Sequence, residues 1–389
     1  MELIGYVFDG KQMLQNPMRV IVDELTNTIT SLEPLDHLDK EIQLFLMPGM
    51  IDAHVHFQGS KDFDVREFSE ARLLRAGLRS VNDLLNLVNA GFLAVRDLGS
   101  KCGIELSRAI SEGYLNGPDI IPCYHSLSAT GGDDDQKDFP LELIKSFSDN
   151  AFCDGPWECR KAVREQIREG AKVIKVYARD YGSLGTGPSK KPFLTEEEIE
   201  AVVKEAHGLG IKVAAHAYGS EGIMSALNAG IDSIEHGFGL TEEICEIMSK
   251  KGTYYVPTIT VHMMFEKYKT GKWKEILDNH LYKDIPMAQS YGLNVVSGTD
   301  IFGGDICPHG QNYKELVYMH KYGLDKERTL VSTTSLGAQC LGLEKAGKIA
   351  AGFKANIIGF RKTPDDELSS LSPENICFIM KNGKVLKNI

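Results

Sequence analysis

Met47-Pro48-Gly49-Met50-Ile51-Asp52-Ala53-His54-Val55-His56-Phe57 is the stretch on which the reading of the fold turns. Side chains in a β-strand repeat their direction every two residues. His54 and His56 therefore point the same way, and their imidazoles can meet on one cation. Ile51 and Ala53 keep the same alternation, and Pro48-Gly49 marks the entry of the chain into the strand. A metal held at a strand end, early in a long chain, points to a metallohydrolase. The alternative is a His-x-His without a ligand, and the remaining ligands decide between the two.

Outward from this strand, apolar runs alternate with helical stretches. The further strand candidates are Phe92–Arg96, Ile120–Tyr124, Lys172–Tyr177, Ile211–His216, Asp232–His236, Tyr254–Pro257 and Leu293–Ser297, making eight in all. Helices are expected over 67–90, 104–113, 156–169, 195–209, 221–229 and 241–251, with more after 260. Thr195 and Glu198 form a capping box at one helix start, and Thr241 opens another. Gly210, Gly230 and Gly252 close helices where a positive φ is easiest for glycine. Eight βα units in under 300 residues favour an α/β fold of the closed (β/α)8 TIM-barrel type over an open sheet. Short alternating strands recur at both ends, in Leu3–Phe8, Arg19–Val22, Gly352–Phe360 and Ile376–Met380, the last followed by the hairpin turn Asn382-Gly383. The expected division is a β-sandwich domain built from 1–46 and 347–389 around a barrel spanning 47–346.

Bulk properties narrow the function. The 389 residues are 42% hydrophobic and 25% charged, as in an ordinary globular protein. A net charge of -11, without a Lys/Arg cluster, argues against a nucleic-acid partner. No apolar run approaches a membrane span, and the start of the chain reads as a strand and turn, not a leader. The eight cysteines are scattered without a C-x-x-C pair, which suits a reduced, cytoplasmic protein. Cys153 and Cys159, the nearest two, read as core residues.

In a barrel, reactive groups collect at the C-terminal strand ends. Four of the eleven histidines fall there: His54 and His56 on the first strand, His216 on the fifth and His236 on the sixth. Lys175 lies mid-way along the fourth strand between Ile174 and Val176, and Gly298-Thr299-Asp300 closes the eighth. His37, His207, His262, His280 and His320 read as surface or helix residues. Zn²⁺ accepts imidazole nitrogen and carboxylate oxygen, and a catalytic site keeps one position open. An inward lysine would be desolvated and its pKa lowered; a neutral amine can take up CO₂. The alternative is a lysine that binds substrate or an anion beside a single metal.

Pro48–His56, Gly91–Asp97, Val173–Val176, Val213–His216, Ser233–Gly237, Gly298–Asp300 and Pro308–Asn312 together resemble the amidohydrolase superfamily. Within it they are similar to the prolidase-like, imidazolonepropionase-related metal-dependent dipeptidases. The resemblance spans essentially the whole chain. It implies two divalent metal ions: His54, His56 and Asp300 on one, His216 and His236 on the other, bridged by a carbamate formed from CO₂ on Lys175. It further implies a metal-bridging hydroxide as nucleophile, with Asp300 as the catalytic proton carrier. Tyr218 matches a position occupied by Tyr or His in the family and stands as a substrate-binding candidate, or as a rim residue. His309 is either a pocket residue or a loop anchor.

Two stretches depart from the family pattern. Asp133-Asp134-Asp135 follows Thr130-Gly131-Gly132 where relatives carry a substrate-contacting His. Arg179 lies in Ala178–Ser183, where relatives have a glycine-rich turn. An acidic mouth with an arginine would suit a zwitterionic dipeptide or an N-acyl amino acid, and loops pointing to solvent would explain both equally. Competing functions are a cyclic-amide hydrolase or deaminase of the same superfamily, and a catalytically silent binding scaffold. Deaminases place a Glu three residues beyond the strand-five His, and here that position is Gly219. A scaffold would have lost ligands, and all six are present. The expected partner is a small amide; self-association is suggested only by analogy with barrel relatives.

Overall fold

The computed structural model describes residues 1–37, 44–59, 61, 73–133, 135–178, 193–266 and 273–389. Four strands open the chain: β1 (Glu2–Val7), β2 (Met18–Asp23), β3 (Thr28–Pro34) and β4 (Phe45–Pro48). The middle carries β5 (Met50–Val55), β6 (Phe92–Asp97), β7 (Asp119–Pro122), β8 (Ser126–Ser128), β9 (Asn150–Phe152) and β10 (Val173–Tyr177). It continues with β11 (Lys212–Ala217), β12 (Ser233–His236), β13 (Tyr254–Val256) and β14 (Asn294–Val295), and the chain ends with β15 (Ile357–Phe360), β16 (Ile376–Lys381) and β17 (Lys384–Asn388). The result is an α/β fold. Its middle strands form two parallel sheets, β5-β6-β7 and β14-β13-β12-β11-β10-β8-β9.

Hydrogen bonds join these two sheets at two places. Beyond β14 the chain runs beside β5, where Ala53 N donates to Ser297 O at 2.8 Å and Asp300 N to His54 O at 2.7 Å. Between β7 and β10, Lys172 N donates to Pro122 O at 2.8 Å. The strand faces bury different residues, as a period of two requires. Ile174, Val176, Val213, Ala215 and Ile234 pack into the large core shared with the helices. Val173 and Ala214 turn the other way, into a smaller cluster with Leu98 and Cys123. Lys175 shares the phase of Val173, which places its amine away from the helices.

Helix boundaries follow their caps. Thr195 and Glu198 make the reciprocal capping box at the head of Glu196–Gly208, and Thr241 Oγ1 accepts from Ile244 N at the head of Glu242–Lys251. Gly230 and Gly252 end their helices in the left-handed conformation. The expected helix over 67–90 is observed from Leu73 to Asn89, residues 67–72 lying outside the described residues.

Two strands differ from expectation. The third, expected to run unbroken through Ile120–Tyr124, stops at Pro122 and resumes at Ser126, because Tyr124 turns left-handed with φ 76°. The resumed segment β8 pairs with β9, a three-residue strand too short to leave a periodic signal. The eighth is regular only over Asn294–Val295. Its pairing then loosens through Gly298 and Asp300, the latter at φ 58°, and returns at the Val55–Ile301 bridge.

The two chain ends meet in one seven-stranded sheet, β17-β16-β15-β4-β1-β2-β3, antiparallel except between β1 and β4. Val7, Val20, Val22, Ile29, Leu46, Ile357, Phe378 and Met380 bury its face. Asn382 and Gly383, at φ 47° and 72°, make the tight turn between β16 and β17. Among the described residues no helix is long and apolar enough to cross a membrane. All eight cysteines are buried and unbridged.

Candidate metal centre

The C-terminal ends of β5, β10, β11 and β12 bring the expected side chains together. His54 Nε2 and His56 Nε2 lie 3.3 and 3.0 Å from Asp300 Oδ1. One ligand atom from each of these three residues falls within 4.8 Å of the others, a spacing that a single cation satisfies. Lys175 Nζ is 3.5 Å from His54 Nε2. The ring of His236 lies 5.4 Å from that of His54 and 4.5 Å from that of His216, between centroids. His216 sits beside Tyr177 in the β10–β11 register, and His236 beside Ala217 in the β11–β12 register.

Three rings have their outer nitrogen fixed by an acceptor or hydroxyl. His54 Nδ1 meets Glu235 Oε2 at 2.8 Å, His56 Nδ1 meets Gly99 O at 2.7 Å, and His236 Nδ1 meets Thr258 Oγ1 at 2.6 Å. Such partners set the tautomer and leave Nε2 as the lone-pair donor. His216 Nε2 is buried with no hydrogen-bond partner among the described residues. An orphaned imidazole nitrogen among converging ligands is what a cation would satisfy, so the donor set fits a metal.

Below the rings lies a buried ion pair. Arg96 Nη2 donates to Glu235 Oε1 at 2.7 Å, Ser233 Oγ donates to the same oxygen at 2.6 Å, and Arg96 Nε holds Ala53 O at 2.6 Å. Burial alone would raise the Glu235 carboxyl; Arg96 and His54 outweigh it and hold it down to about 2. Beside it, burial and the Arg96 charge lower the Lys175 pKa, against the pull of Glu235 and Asp300. Burial also drives His216 and His236 well below the ordinary imidazole value. Asp300 is held well below the carboxylate range, because His54 and His56 overcome its burial. The site thus favours neutral His216 and His236, an ionised Asp300 and a Lys175 amine that gives up its proton more easily than a free lysine. His56 goes the other way: burial would lower its pKa, but Asp300 and Asp97 outweigh it and raise it.

Backbone geometry is unusual here. His236 (φ 66°), Thr258 (φ 51°) and Asp300 (φ 58°) adopt the left-handed region that costs non-glycine residues energy. Asp52 anchors the last of these turns, accepting Thr299 N at 3.0 Å, Thr299 Oγ1 at 2.6 Å and Asn312 Nδ2 at 2.7 Å. Gly237 follows His236 at φ 63°, and a Cβ there would sit 2.7 Å from the Tyr255 ring.

The substrate candidates divide. The Tyr218 ring stacks on His236 at 5.0 Å and 4°, with its hydroxyl 3.2 Å from His262 Nε2. His309 Nε2 donates to His56 O at 3.0 Å and its ring stacks on Phe57, the geometry of an anchor for the strand end. Arg179 lies outside the described residues. Asp135 Oδ2 accepts Gly131 N at 2.7 Å, and Asp133 O accepts from Ser128 and Asn150, so both brace their own loop. Asp134 is outside the described residues.

His262 corrects the sequence reading. It is a helix residue as expected, in Ile259–Met264, but it faces Tyr218 and Phe238 at the site instead of the surface. No periodic signal marks it, because that helix has only six residues. Glu235 and Arg96 carry a sequence signal of their own, since each is a charged residue within a fully buried strand.

Imidazoles, a carboxylate and a buried amine converging at the ends of parallel strands define a candidate metal-dependent hydrolase. The amidohydrolase family matches residues 45–386, and the chain belongs to that family; it is a hydrolase acting on amide bonds. The ochratoxinase of Aspergillus niger is 30% identical over 370 residues, 88% of this chain and 75% of that one. A crystal structure of that ochratoxinase superposes with a TM-score of 0.88 at 26% identity, covering 99% of this chain and 95% of the other. A Xaa-Pro dipeptidase solved with methionine in its active site gives a TM-score of 0.83 at 28% identity, with 100% of both chains covered.

Proposed function

We propose that this chain is a binuclear metal-dependent amidohydrolase that cleaves the amide bond of a dipeptide or an N-acyl amino acid. The observation that carries the reading is the convergence of His54 Nε2, His56 Nε2 and Asp300 Oδ1 beside Lys175 Nζ and the orphaned His216 Nε2. On this reading the two parallel sheets close into a (β/α)8 barrel over 47–346, which the hydrogen bonds at both junctions support. Residues 1–46 and 347–389 then form the second, sandwich-like domain.

His54, His56 and Asp300 would hold one ion, His216 and His236 the other, with Lys175 as a carbamate between them. Zinc suits the imidazole and carboxylate donors. Bound at this site, the ions supply an activated water and a polarised carbonyl. Burial and the neighbouring Arg96 keep Lys175 ready to deprotonate, which a carbamate requires. Glu235, Gly99 O and Thr258 aim their imidazoles inward. Asp300, ionised and 22% exposed, faces both the imidazoles and the open side, where it can take a proton from water and return it to the leaving amine. Tyr218, its hydroxyl braced by His262, offers a hydrogen bond to the substrate.

Gly219 opens the helix after β11 at φ 71° where a deaminase would carry its acid, which supports amide cleavage over deamination. The ochratoxinase and dipeptidase relatives support a small amide substrate. The test is turnover of the metal-loaded enzyme against dipeptides, N-acyl amino acids, cyclic amides and aminopurines. Cleavage confined to the first two groups is expected. Turnover only of cyclic amides or of amino-purines would reassign the reaction.

A further inference from the structure

A cavity of mixed character opens at the end of the parallel strands opposite the candidate metal centre. It encloses about 380 Å³ among the starts of β10 and β11, Ile121 of β7 and the end of the helix Ser335–Leu341. That volume lies within the range of sites that take small molecules. Its walls are of two kinds. Ile121, Ile211 and Leu341 are aliphatic, whereas Lys172 and Lys212 bring two positive charges beside Arg96, whose own charge is paired with Glu235; among the described residues no carboxylate lines the cavity. In a chain of net charge -11, a cavity whose charged lining residues, among the described residues, are all cationic is not a random sample of the surface.

The three cations are held differently. Arg96 is almost fully buried and spends Nε, one Nη1 and one Nη2 donor on Ala53 O, Ser233 and Glu235. A guanidinium has five N–H donors, so two remain beyond those three bonds. Lys212 Nζ donates to Gln339 O and Cys340 O, which fixes it at the rim with one proton to spare. Lys172 is exposed and has no ion pair among the described residues. The nearby acids are already engaged: Glu235 with Arg96 and His54, and Asp232 with Val213 N and His207.

We propose that this cavity is a binding site for a small organic carboxylate. Its anionic head would be met by Lys172, Lys212 and the outer donors of Arg96, and its compact apolar body by Ile121, Ile211 and Leu341. The combination of charged head and aliphatic wall selects for such a ligand over a bare inorganic oxyanion, which would leave the aliphatic surface wet. The site is separate from the metal centre and does not depend on the reaction proposed there. Arg96 nevertheless contributes to both, through Glu235 and His54.

Isothermal titration of the full-length, metal-loaded protein with benzoate tests this, with benzamide and inorganic phosphate as the uncharged and headgroup-only probes. Benzoate is expected to bind at least tenfold more tightly than either. Lys172→Glu should weaken benzoate at least tenfold, Lys172→Arg should keep it, and Ile211→Phe should weaken it by filling the cavity. Lys172 lies on the surface, so its variants should keep the parent's unfolding midpoint and metal content. Equal affinity of parent and Lys172→Glu would place benzoate at the metal centre and overturn the proposal. So would phosphate binding as tightly as benzoate, or no benzoate binding at 10 mM (about a 3 kcal/mol interaction or less).

Discussion

Glu235→Gln is the substitution whose consequences follow most directly from the geometry. The carboxylate is fully buried and meets Arg96 at 2.7 Å, Ser233 at 2.6 Å and His54 at 2.8 Å. Removing its charge leaves the Arg96 guanidinium buried without a counter-ion, and breaking a buried pair on one side costs about 3–5 kcal/mol. Arg96→Met should cost a similar amount by stranding Glu235. The double variant strands neither charge, so it should cost less than the sum of the singles by about 1–3 kcal/mol. The second readout is metal. Loss of a carboxylate behind a ligating imidazole lowers affinity by roughly 10–100-fold, so Glu235→Gln should release metal that the parent retains. Urea unfolding of the four proteins and metal-buffered titration of the parent and Glu235→Gln measure both quantities. Additive stabilities together with an unchanged metal affinity would refute the argument that this pair supports His54.

Asp300→Asn should lower kcat by about 10²–10⁴, the usual contribution of a general acid–base group, while most of the metal stays bound. Normal turnover would remove Asp300 from the proton path. Asp83 is buried on the helix Leu73–Asn89, and burial pushes its carboxyl up to about 7 from an unfolded value of 3.8. The folded state therefore binds that proton more tightly, so its stabilising contribution is complete below about pH 4 and disappears as pH rises toward 7. Asp83→Asn should accordingly match the parent at pH 4 and exceed it by roughly 2–4 kcal/mol at pH 8, read from urea midpoints; a constant difference would show that Asp83 does not titrate this way. The Tyr255 hydroxyl is buried without a hydrogen-bond partner among the described residues. Tyr255→Phe should raise stability by about 1 kcal/mol, and a loss on calorimetry would reveal a bond to that hydroxyl.

The candidate ligands were legible in the sequence because a strand's period of two and its C-terminal end fix both direction and place. Strand period and strand ends single out His54, His56, Lys175, His216, His236 and Asp300 as candidates; their grouping about a pair of cations is what the family resemblance implies. What supports them was harder to read. Thr258 and Gly99 act through a loop turn and a backbone carbonyl, and neither leaves a pattern in the chain. His262 reaches the site from a helix too short to show a face. The break at Tyr124 depends on a left-handed residue that is not glycine, a choice made by tertiary contacts and not by local propensity. The terminal sheet was visible from its alternating strands, but its order was not. β4 pairs in parallel with β1 and in antiparallel fashion with β15, and the second of these pairings joins segments more than three hundred residues apart.

The most direct measurement is the metal content per chain of the parent and of Lys175→Ala, both purified in bicarbonate-containing buffer, with the intact mass of the parent taken alongside. Two ions in the parent, one or fewer in the variant, and a parent mass raised by one CO₂ are the results expected of a lysine carbamate between two cations. An active parent with no metal, or equal metal content in the two proteins, would contradict it.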